Sequence, residues 1–257
     1  MSGKHGIFED IKGKRVLITG ASGGIGASMA KLFAEYGACV GLHYNSGKVE
    51  AMKLLKQIRE NSGKAELFQC NLLEQSARQN LVKSFVEKFD GIDVLINNAA
   101  TTYNYTHFSR LDEKSWDLTF SLNVKAPFFL SARAFEYMQK NGGRIINIST
   151  AAVKYGGGAN NLHSVATKAA LDCLTVGFAR EGAKYNILVN AIKCGVIDTP
   201  MRYRIKGYSE EHFRKRVSLV PLKRIGQPID IARMALFLAS ESGNFITSEL
   251  FTVAGGD

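Results

Sequence analysis

Runs of β-branched and aliphatic residues alternate with stretches of helical periodicity along the whole chain. The apolar runs predict strands over residues 15–19, 39–44, 65–70, 93–97, 144–149, 187–191 and 250–253. Apolar positions at helical spacing predict helices near 25–36, 47–61, 73–89, 112–140, 162–185 and 228–239. Strict strand–helix alternation argues for an α/β fold: a doubly wound, parallel, seven-stranded sheet built from right-handed βαβ units, with helices on both faces. At 257 residues and without a Pro/Ser-rich linker or internal repeat, the chain suits a single domain. Only residues 198–219 break the rhythm. That segment is basic and aromatic, and it follows the C-terminal end of a strand, where open α/β sheets bind ligands. It is expected to form a substrate lid, the alternative being a surface excursion packed on itself.

Composition narrows the function classes. Hydrophobic residues make up 46%, enough for a sheet covered on both faces, yet no apolar run approaches the roughly 20 residues of a membrane span. The N-terminal stretch lacks the apolar core of a secretory signal. The four cysteines, Cys39, Cys70, Cys173 and Cys194, are scattered, which suits reduced thiols, mostly in the core, of a cytoplasmic protein. The net charge is +10, but it is spread along amphipathic helices instead of forming a stripe with interleaved aromatics, so no nucleic-acid partner is expected. The densest cluster, Arg202, Arg204, Lys206 and Arg214-Lys215-Arg216, reads as a solvated face, with an anionic substrate as the sharper alternative.

The chemistry starts at the first strand. Val16-Leu17-Ile18-Thr19 runs directly into Gly20-Ala21-Ser22-Gly23-Gly24-Ile25-Gly26: strand, glycine-rich turn and helix start. Glycines let the backbone approach a pyrophosphate, and the helix N-terminus offers its free N–H groups. Gly20, Ser22, Gly24, Ile25 and Gly26 are the candidate contacts. At the end of the second strand, His43-Tyr44-Asn45-Ser46-Gly47-Lys48 carries no carboxylate to bond a ribose diol and repel a 2′-phosphate. Tyr44, Asn45 and Ser46 are candidate contacts there. Ser46 can donate to a phosphate oxygen and Lys48 can add charge, so NADP(H) is preferred, with NAD(H) the alternative. Ser46 as a mere helix cap is the competing reading.

Thr19-Gly20-x-x-x-Gly24-Ile25-Gly26 resembles the glycine motif of the short-chain dehydrogenase/reductase family. The likeness continues along the chain. Asn97-Asn98-Ala99-Ala100 resembles the family's Asn-Asn-Ala-Gly, with Ala100 in place of the glycine, and Asn123 matches its helix asparagine. Cys194-Gly195-Val196-Ile197-Asp198-Thr199 resembles its Pro-Gly motif, with Cys194 in place of the proline. Pro221-Leu222-x-Arg224-x-Gly226-x-Pro228 and Val253-Ala254-Gly255-Gly256-Asp257 fit its C-terminal part. The resemblance implies a Rossmann-like fold and a nicotinamide-dependent oxidoreductase acting on a small molecule. It also implies cofactor contacts from Asn71, Leu72, Asn98, Ala99, Lys168, Ile197 and Thr199. Asn71 replaces the family's adenine-binding aspartate, although its amide oxygen can still accept a hydrogen bond. Ile197 and Thr199 match positions that hold the nicotinamide carboxamide. The helices 112–140 and 162–185 usually form the family's interface, which implies a homodimer or homotetramer. Phe128, Phe129, Phe135 and Phe178 are candidates for it, or else pack on the sheet.

In that family a serine polarises the substrate carbonyl, a tyrosine passes the proton, a lysine four residues later tunes the tyrosine and holds the ribose, and an asparagine anchors a water relay. Asn123 and Lys168 are kept here. The serine position falls on Thr150, whose hydroxyl donates as serine does. Ser149 lies one residue earlier, on the opposite face if the strand continues. The tyrosine position falls on Ser164, whose hydroxyl is shorter and far less acidic than a phenol. The chain therefore resembles an atypical member with an altered proton-donor site. His163 has a suitable pKa, but it points about 140° away from Lys168 around an ideal helix; its other reading is a first-turn histidine bonded locally. Tyr155, and Tyr203, Tyr208 and His212 from the lid, are further candidates. Ser164-x-x-x-Lys168 is also similar to the dienoyl-CoA reductase branch, in which the proton goes to carbon. The enoyl reductase position, seven before the lysine, is Asn161 and does not match. A non-catalytic nucleotide-binding member, acting as sensor or scaffold subunit, remains the alternative of a different class.

Overall fold

A computed structural model describes residues 7–200, 203 and 209–257, apart from the side chain of His212. The apolar runs become β1 (Arg15–Ile18), β2 (Cys39–Tyr44), β3 (Lys64–Gln69), β4 (Val94–Asn97), β5 (Gly143–Thr150), β6 (Ile187–Cys194) and β7 (Leu250–Val253). They form one seven-stranded sheet in the order β3-β2-β1-β4-β5-β6-β7, every pairing parallel. The chain winds outward from β1 to β3, then returns to β4 on the other side of β1. This reversal opens a crevice at the C-terminal ends of β1 and β4, the position at which such sheets bind ligands.

The helices are α1 (Gly24–Glu35), α2 (Lys48–Glu60), α3 (Gln75–Phe89), α4 (Glu113–Phe120), α5 (Ala126–Met138), α6 (Leu162–Gly182), α7 (Glu210–Ser218) and α8 (Pro228–Ala239). Both faces of the sheet are covered, which is why the strands read as continuous apolar runs instead of alternating ones. On one face Val16, Ile18, Val40, Ile146, Ile148 and Ile192 pack against Met29 and Phe33 of α1 and Ile231 and Ala235 of α8. On the other, Leu17, Leu95, Ile145 and Val189 pack against Phe85 of α3, Leu130 and Met138 of α5 and Ala179 of α6. Burying each such side chain contributes about 1.5–3 kcal/mol.

The structure departs from the pattern in places that matter for the site. The stretch expected as one helix over 112–140 is α4, a π-helical turn over Ser121–Lys125, and α5. β6 runs three residues past the expected 191, through Lys193 to Cys194. The segment expected as a lid contains α7. Arg202, Arg204, Lys206 and Tyr208, and the side chain of His212, lie outside the described residues. Among the described residues, no helix is long and apolar enough to cross a membrane. No cysteine forms a disulfide; Cys194 is buried, Cys39 and Cys70 are half-buried, and Cys173 is exposed on α6. Phe135 and Phe178 pack against the core, whereas Phe128 and Phe129 are exposed on α5.

Candidate active site

The glycine turn forms the floor of the crevice. Gly20 and Gly24 have φ of +65° and +55°, which an L side chain rarely adopts. A Cβ on Gly26 would lie 2.4 Å from the Gly20 carbonyl oxygen and 2.7 Å from Asn98 Nδ2. This closeness comes from a latch between the β1 and β4 loops. Thr19 Oγ1 accepts the N–H groups of Asn98 and Ala99 at 2.9 and 3.0 Å, and it donates to the Ile96 carbonyl at 3.2 Å. Asn98 Nδ2 donates to the carbonyls of Thr19 and Gly20 at 2.8 and 3.1 Å. Above this floor, α1 begins after Gly23 with no side-chain cap and no acidic residue in its first turn. Its positive end therefore faces the crevice, the electrostatic setting an anion requires. Thr199 closes the far side: a Cβ on Gly24 would meet its methyl at 3.3 Å. Next to it Ile197 is fixed by two backbone bonds, Asp198 N–H to the Gly226 carbonyl at 2.8 Å and Gly226 N–H to the Val196 carbonyl at 2.9 Å.

A residue the sequence did not single out supports the turn from below. Gly20 N–H donates to Nδ1 of buried His43 at 3.1 Å, so Nε2 carries the proton and donates to the Cys70 carbonyl at 3.2 Å. Burial lowers the His43 pKa from 6.5 to about 4. An unfolded imidazole takes its proton near pH 6.5, so acid favours the unfolded chain. The stability carried by neutral His43 is complete above about pH 6.5 and is lost as pH falls toward 4, by on the order of 3 kcal/mol. Urea melts between pH 7 and pH 4 measure this loss; an equal slope in His43→Gln would assign it to other groups.

At the end of β2, Tyr44 is buried and donates to Gln69 Oε1 at 3.3 Å, whereas Asn45, Ser46 and Lys48 are exposed. The residue capping α2 is Gly47, without a side-chain cap, so Ser46 is not serving as the cap. Ser22 abuts Gly47, whose Cβ would fall 2.8 Å from the Ser22 hydroxyl oxygen, and this joins the glycine turn to the β2–α2 loop. Asn71 is turned onto its own loop: Oδ1 accepts from Leu73 N–H and Nδ2 donates to Glu74, both at 3.1 Å. Leu72 is buried in the core, and its carbonyl and that of Leu73 accept from buried Arg78 at 2.7 and 2.9 Å.

The other half of the site gathers at the ends of β5 and β6. Lys168 reaches from α6 to donate to the Ile148 carbonyl at 2.7 Å. Desolvation lowers its pKa from 10.5 to about 8, against the upward pull that a Cys194 thiolate would exert and that of the Asp172 carboxylate. Thr150 ends β5 and donates to the Cys194 carbonyl at 3.3 Å. Because β5 continues through Thr150, Ser149 lies on the opposite face, buried and with no hydrogen-bond partner for its hydroxyl. Asn123, in the π turn, is fully engaged: Nδ2 donates to the Thr101 carbonyl at 2.9 Å and to Thr167 Oγ1 at 3.1 Å, and Oδ1 accepts from Thr101 N–H at 3.0 Å. It ties the loop after β4 to α6.

That loop delivers a second residue the sequence did not reveal. Thr102 donates to the Ser164 hydroxyl at 2.8 Å. An isolated threonine in an irregular loop carries no pattern that would flag it. His163 is buried in the first turn of α6 with Nε2 2.9 Å from the Tyr103 carbonyl, a partner 60 residues away. Tyr155, half exposed, accepts at its hydroxyl from Arg216 of α7 at 2.9 Å, and Arg216 also pairs with Asp257. Tyr203 is 59% exposed. The site thus combines an anion cradle, a lysine able to exchange a proton near neutral pH, and three hydroxyls, Thr150 at the end of β5, Thr102 in the loop after β4 and Ser164 in the first turn of α6.

Comparison with known proteins agrees with this arrangement. The family profile described as Enoyl-(Acyl carrier protein) reductase matches residues 20–257. A 3-oxoacyl-[acyl-carrier-protein] reductase, FabG, of Thermotoga maritima is 33% identical over 247 residues, 96% of this chain and 98% of that protein. The FabG of Staphylococcus aureus is 34% identical over 244 residues, 95% and 97% of the two chains. A blue fluorescent protein from a metagenomic library, solved with NADPH, superposes with a TM-score of 0.89 at 30% identity, covering 96% of this chain and 98% of that one. A short chain dehydrogenase of Burkholderia cenocepacia, solved with NADP, gives the same TM-score, identity and coverage. Fold, site geometry and relatives together make this chain a member of the short-chain dehydrogenase/reductase family of oxidoreductases.

Proposed function

We propose that the protein is an NADP(H)-dependent oxidoreductase that moves hydride between the nicotinamide and a carbonyl, alcohol or conjugated enoyl small molecule, using an altered proton-donor site. The observation that carries this reading is the cradle: a turn whose Gly20 and Gly26 leave no room for a side chain, latched under the uncapped N-terminus of α1. Gly20, Ser22, Gly24, Ile25 and Gly26 would hold the pyrophosphate. Ser46 and Lys48, exposed at the end of β2, would receive the 2′-phosphate, with Tyr44 and Asn45 flanking it. Asn71, Leu72, Asn98 and Ala99 would line the adenosine, Lys168 would hold the nicotinamide ribose, and Ile197 with Thr199 would meet the carboxamide. The neighbours solved with NADPH and NADP support the same choice of cofactor.

The bound nicotinamide supplies or accepts the hydride. Hydride arrival at a carbonyl makes an alkoxide, which needs a positioned donor. Thr150 orients the substrate oxygen. Ser164 accepts from Thr102, which leaves its own proton available and polarises it as a donor. Lys168, one helical turn on, offers positive charge and a proton near neutral pH. The relatives named as 3-oxoacyl reductases make acyl thioester ketones the first substrate class to assay. Exposed Phe128 and Phe129 on α5 favour self-association through that helix.

Titration with NADPH and NADH, followed by melting and nicotinamide fluorescence, is the direct test. A ligand at about 100 times its Kd adds roughly 2.7 kcal/mol of stability. We expect NADPH to bind at least about tenfold more tightly than NADH, with most of the preference lost in Ser46→Ala/Lys48→Ala. Binding of neither cofactor refutes the reading. NADPH consumption with acetoacetyl or enoyl thioesters should fall about tenfold or more in Thr102→Val. Tight binding without turnover of any such substrate would turn the assignment to a nucleotide-binding sensor or scaffold.

A further inference from the structure

β6 carries no charge until Lys193, in the last stretch of a strand flanked on both sides. Lys193 lies in register with Ser149 of β5, and both point to the α5/α6 face. There Lys193 Nζ lies 3.3 Å from Asp172 Oδ2, with side chains only 15% and 8% exposed. Asp172 belongs to α6, four residues after Lys168, and so lies on the same face of the helix one turn along. Neither Asp172 oxygen has an aligned hydrogen bond, and the buried Ser149 hydroxyl on the same face of the sheet as Lys193 has no partner. A carboxylate buried in this way must be compensated by cations. Two are in reach: Lys193 directly, and Lys168, which feels the charge of Asp172.

We propose that Asp172 and Lys193 form a buried positioning pair for Lys168, one carboxylate divided between two ammonium groups, through which β6 governs how firmly Lys168 holds its proton. The role of Lys168 in turnover rests on the oxidoreductase reading; the action of the pair on the lysine does not. The other titratable group that meets Lys168 is Cys194 of β6, whose thiol burial pushes up to about 12 and so keeps neutral. β5 contributes the Ile148 carbonyl and the neutral Ser149 hydroxyl, the π turn contributes neutral Asn123, and His163 of the same helix is turned to the Tyr103 carbonyl. The charge on Lys168 is therefore set mainly by burial and by the share of Asp172 that Lys193 leaves it.

Two substitutions should then act in opposite directions. Asp172→Asn removes the attraction and leaves Lys193 as an unbalanced cation, so Lys168 loses its proton more easily. Lys193→Met leaves the whole carboxylate to Lys168, which then holds its proton more firmly. The experiment is NMR titration of the lysine Nζ groups in the full chain labelled with 15N-lysine, with the Lys168 signal assigned by its loss in Lys168→Met. We expect the Lys168 midpoint to fall by about one unit in Asp172→Asn, to rise by about one unit in Lys193→Met, and to lie near the wild-type value in the double variant. Shifts in the same direction, or no shift in either, overturn the proposal, because loss of packing alone gives no such pair of opposite signs. Should Lys193→Met fail to fold with Asp172 buried alone, Asp172→Asn decides: an unmoved Lys168 midpoint overturns the pair. Where turnover is measurable, its pH profile moves with the NMR midpoint. Opposite NMR shifts in a protein without turnover would keep the pair and remove the oxidoreductase reading.

Discussion

Replacing Lys168 by alanine should lower turnover by about 10²–10⁴-fold, the range of a lost proton-transfer group. The lysine lies at the meeting point of the strand ends and α6, bonded to the Ile148 carbonyl at 2.7 Å, and burial brings its pKa down to about 8. In the wild type, reduction should weaken as pH rises through about 8, because the proton the lysine lends is then missing; the reverse oxidation should strengthen over the same range. The alanine variant should lose both limbs. Steady-state rates from pH 6 to 10, with melting curves to show that the variant remains folded, test this. Turnover unchanged in Lys168→Ala would remove the lysine from the chemistry. Loss of NADPH affinity alongside rate would support a second role at the ribose.

The largest structural effect should come from a single methyl group at Gly26. An alanine Cβ there would lie 2.4 Å from the Gly20 carbonyl oxygen, 2.7 Å from Asn98 Nδ2 and 3.0 Å from Ala21 Cα. Two of these three are backbone atoms, and the third, Asn98 Nδ2, is held by its bonds to the Thr19 and Gly20 carbonyls, so the clash is relieved only by moving the turn or breaking those bonds. That movement breaks the Asn98 latch and shifts the N–H groups of α1. Overpacking of this kind costs about 1–3 kcal/mol, or roughly 2–12 °C in Tm for a chain of this size. NADPH affinity should fall by at least about 100-fold. Gly23→Ala is the control: its Cβ meets nothing within 4 Å and its φ is −167°, so its Tm should stay near wild type. Calorimetry and fluorescence titration of the two variants decide it; equal behaviour would mean that the turn yields freely.

How much of this was legible in the sequence depended on whether the signal was local. The strands were readable because both faces of a parallel sheet are buried, and so each strand is written as an apolar run. The exception is the end of β6. Lys193 reads as a strand terminator, and what makes it tolerable is Asp172, about twenty residues earlier on another element. α7 went unread because its sequence, Glu210 to Ser218, is dominated by charge. The break between α4 and α5 is hidden because the π turn leaves helical spacing intact on either side and shifts only the phase between them. In the site, the glycine turn was visible as a strand–turn–helix pattern, and Asn123, Thr150, Ser164 and Lys168 through the resemblance of their surroundings to the family's motifs. Thr102 and His43 were not, since each acts by a contact across more than twenty residues of chain. Asn71 was visible as a position, but its bond to Leu73 could not be read from the string.

The π turn at Ser121–Lys125 carries one residue more than an uninterrupted helix of the same rise would need. The surplus residue works as a phase offset. It lets the α4 side present Thr119 to the loop at Tyr103 while the α5 side presents Ser131 to Asn97, and it leaves Asn123 turned inward between them. Deleting any single residue here would rotate one helix by about 100° against the other, and no substitution of side chains could restore both faces together. At this point in the chain the information lies in the count of residues, so a gap in a related sequence here would signal a different site more strongly than any exchange of amino acids.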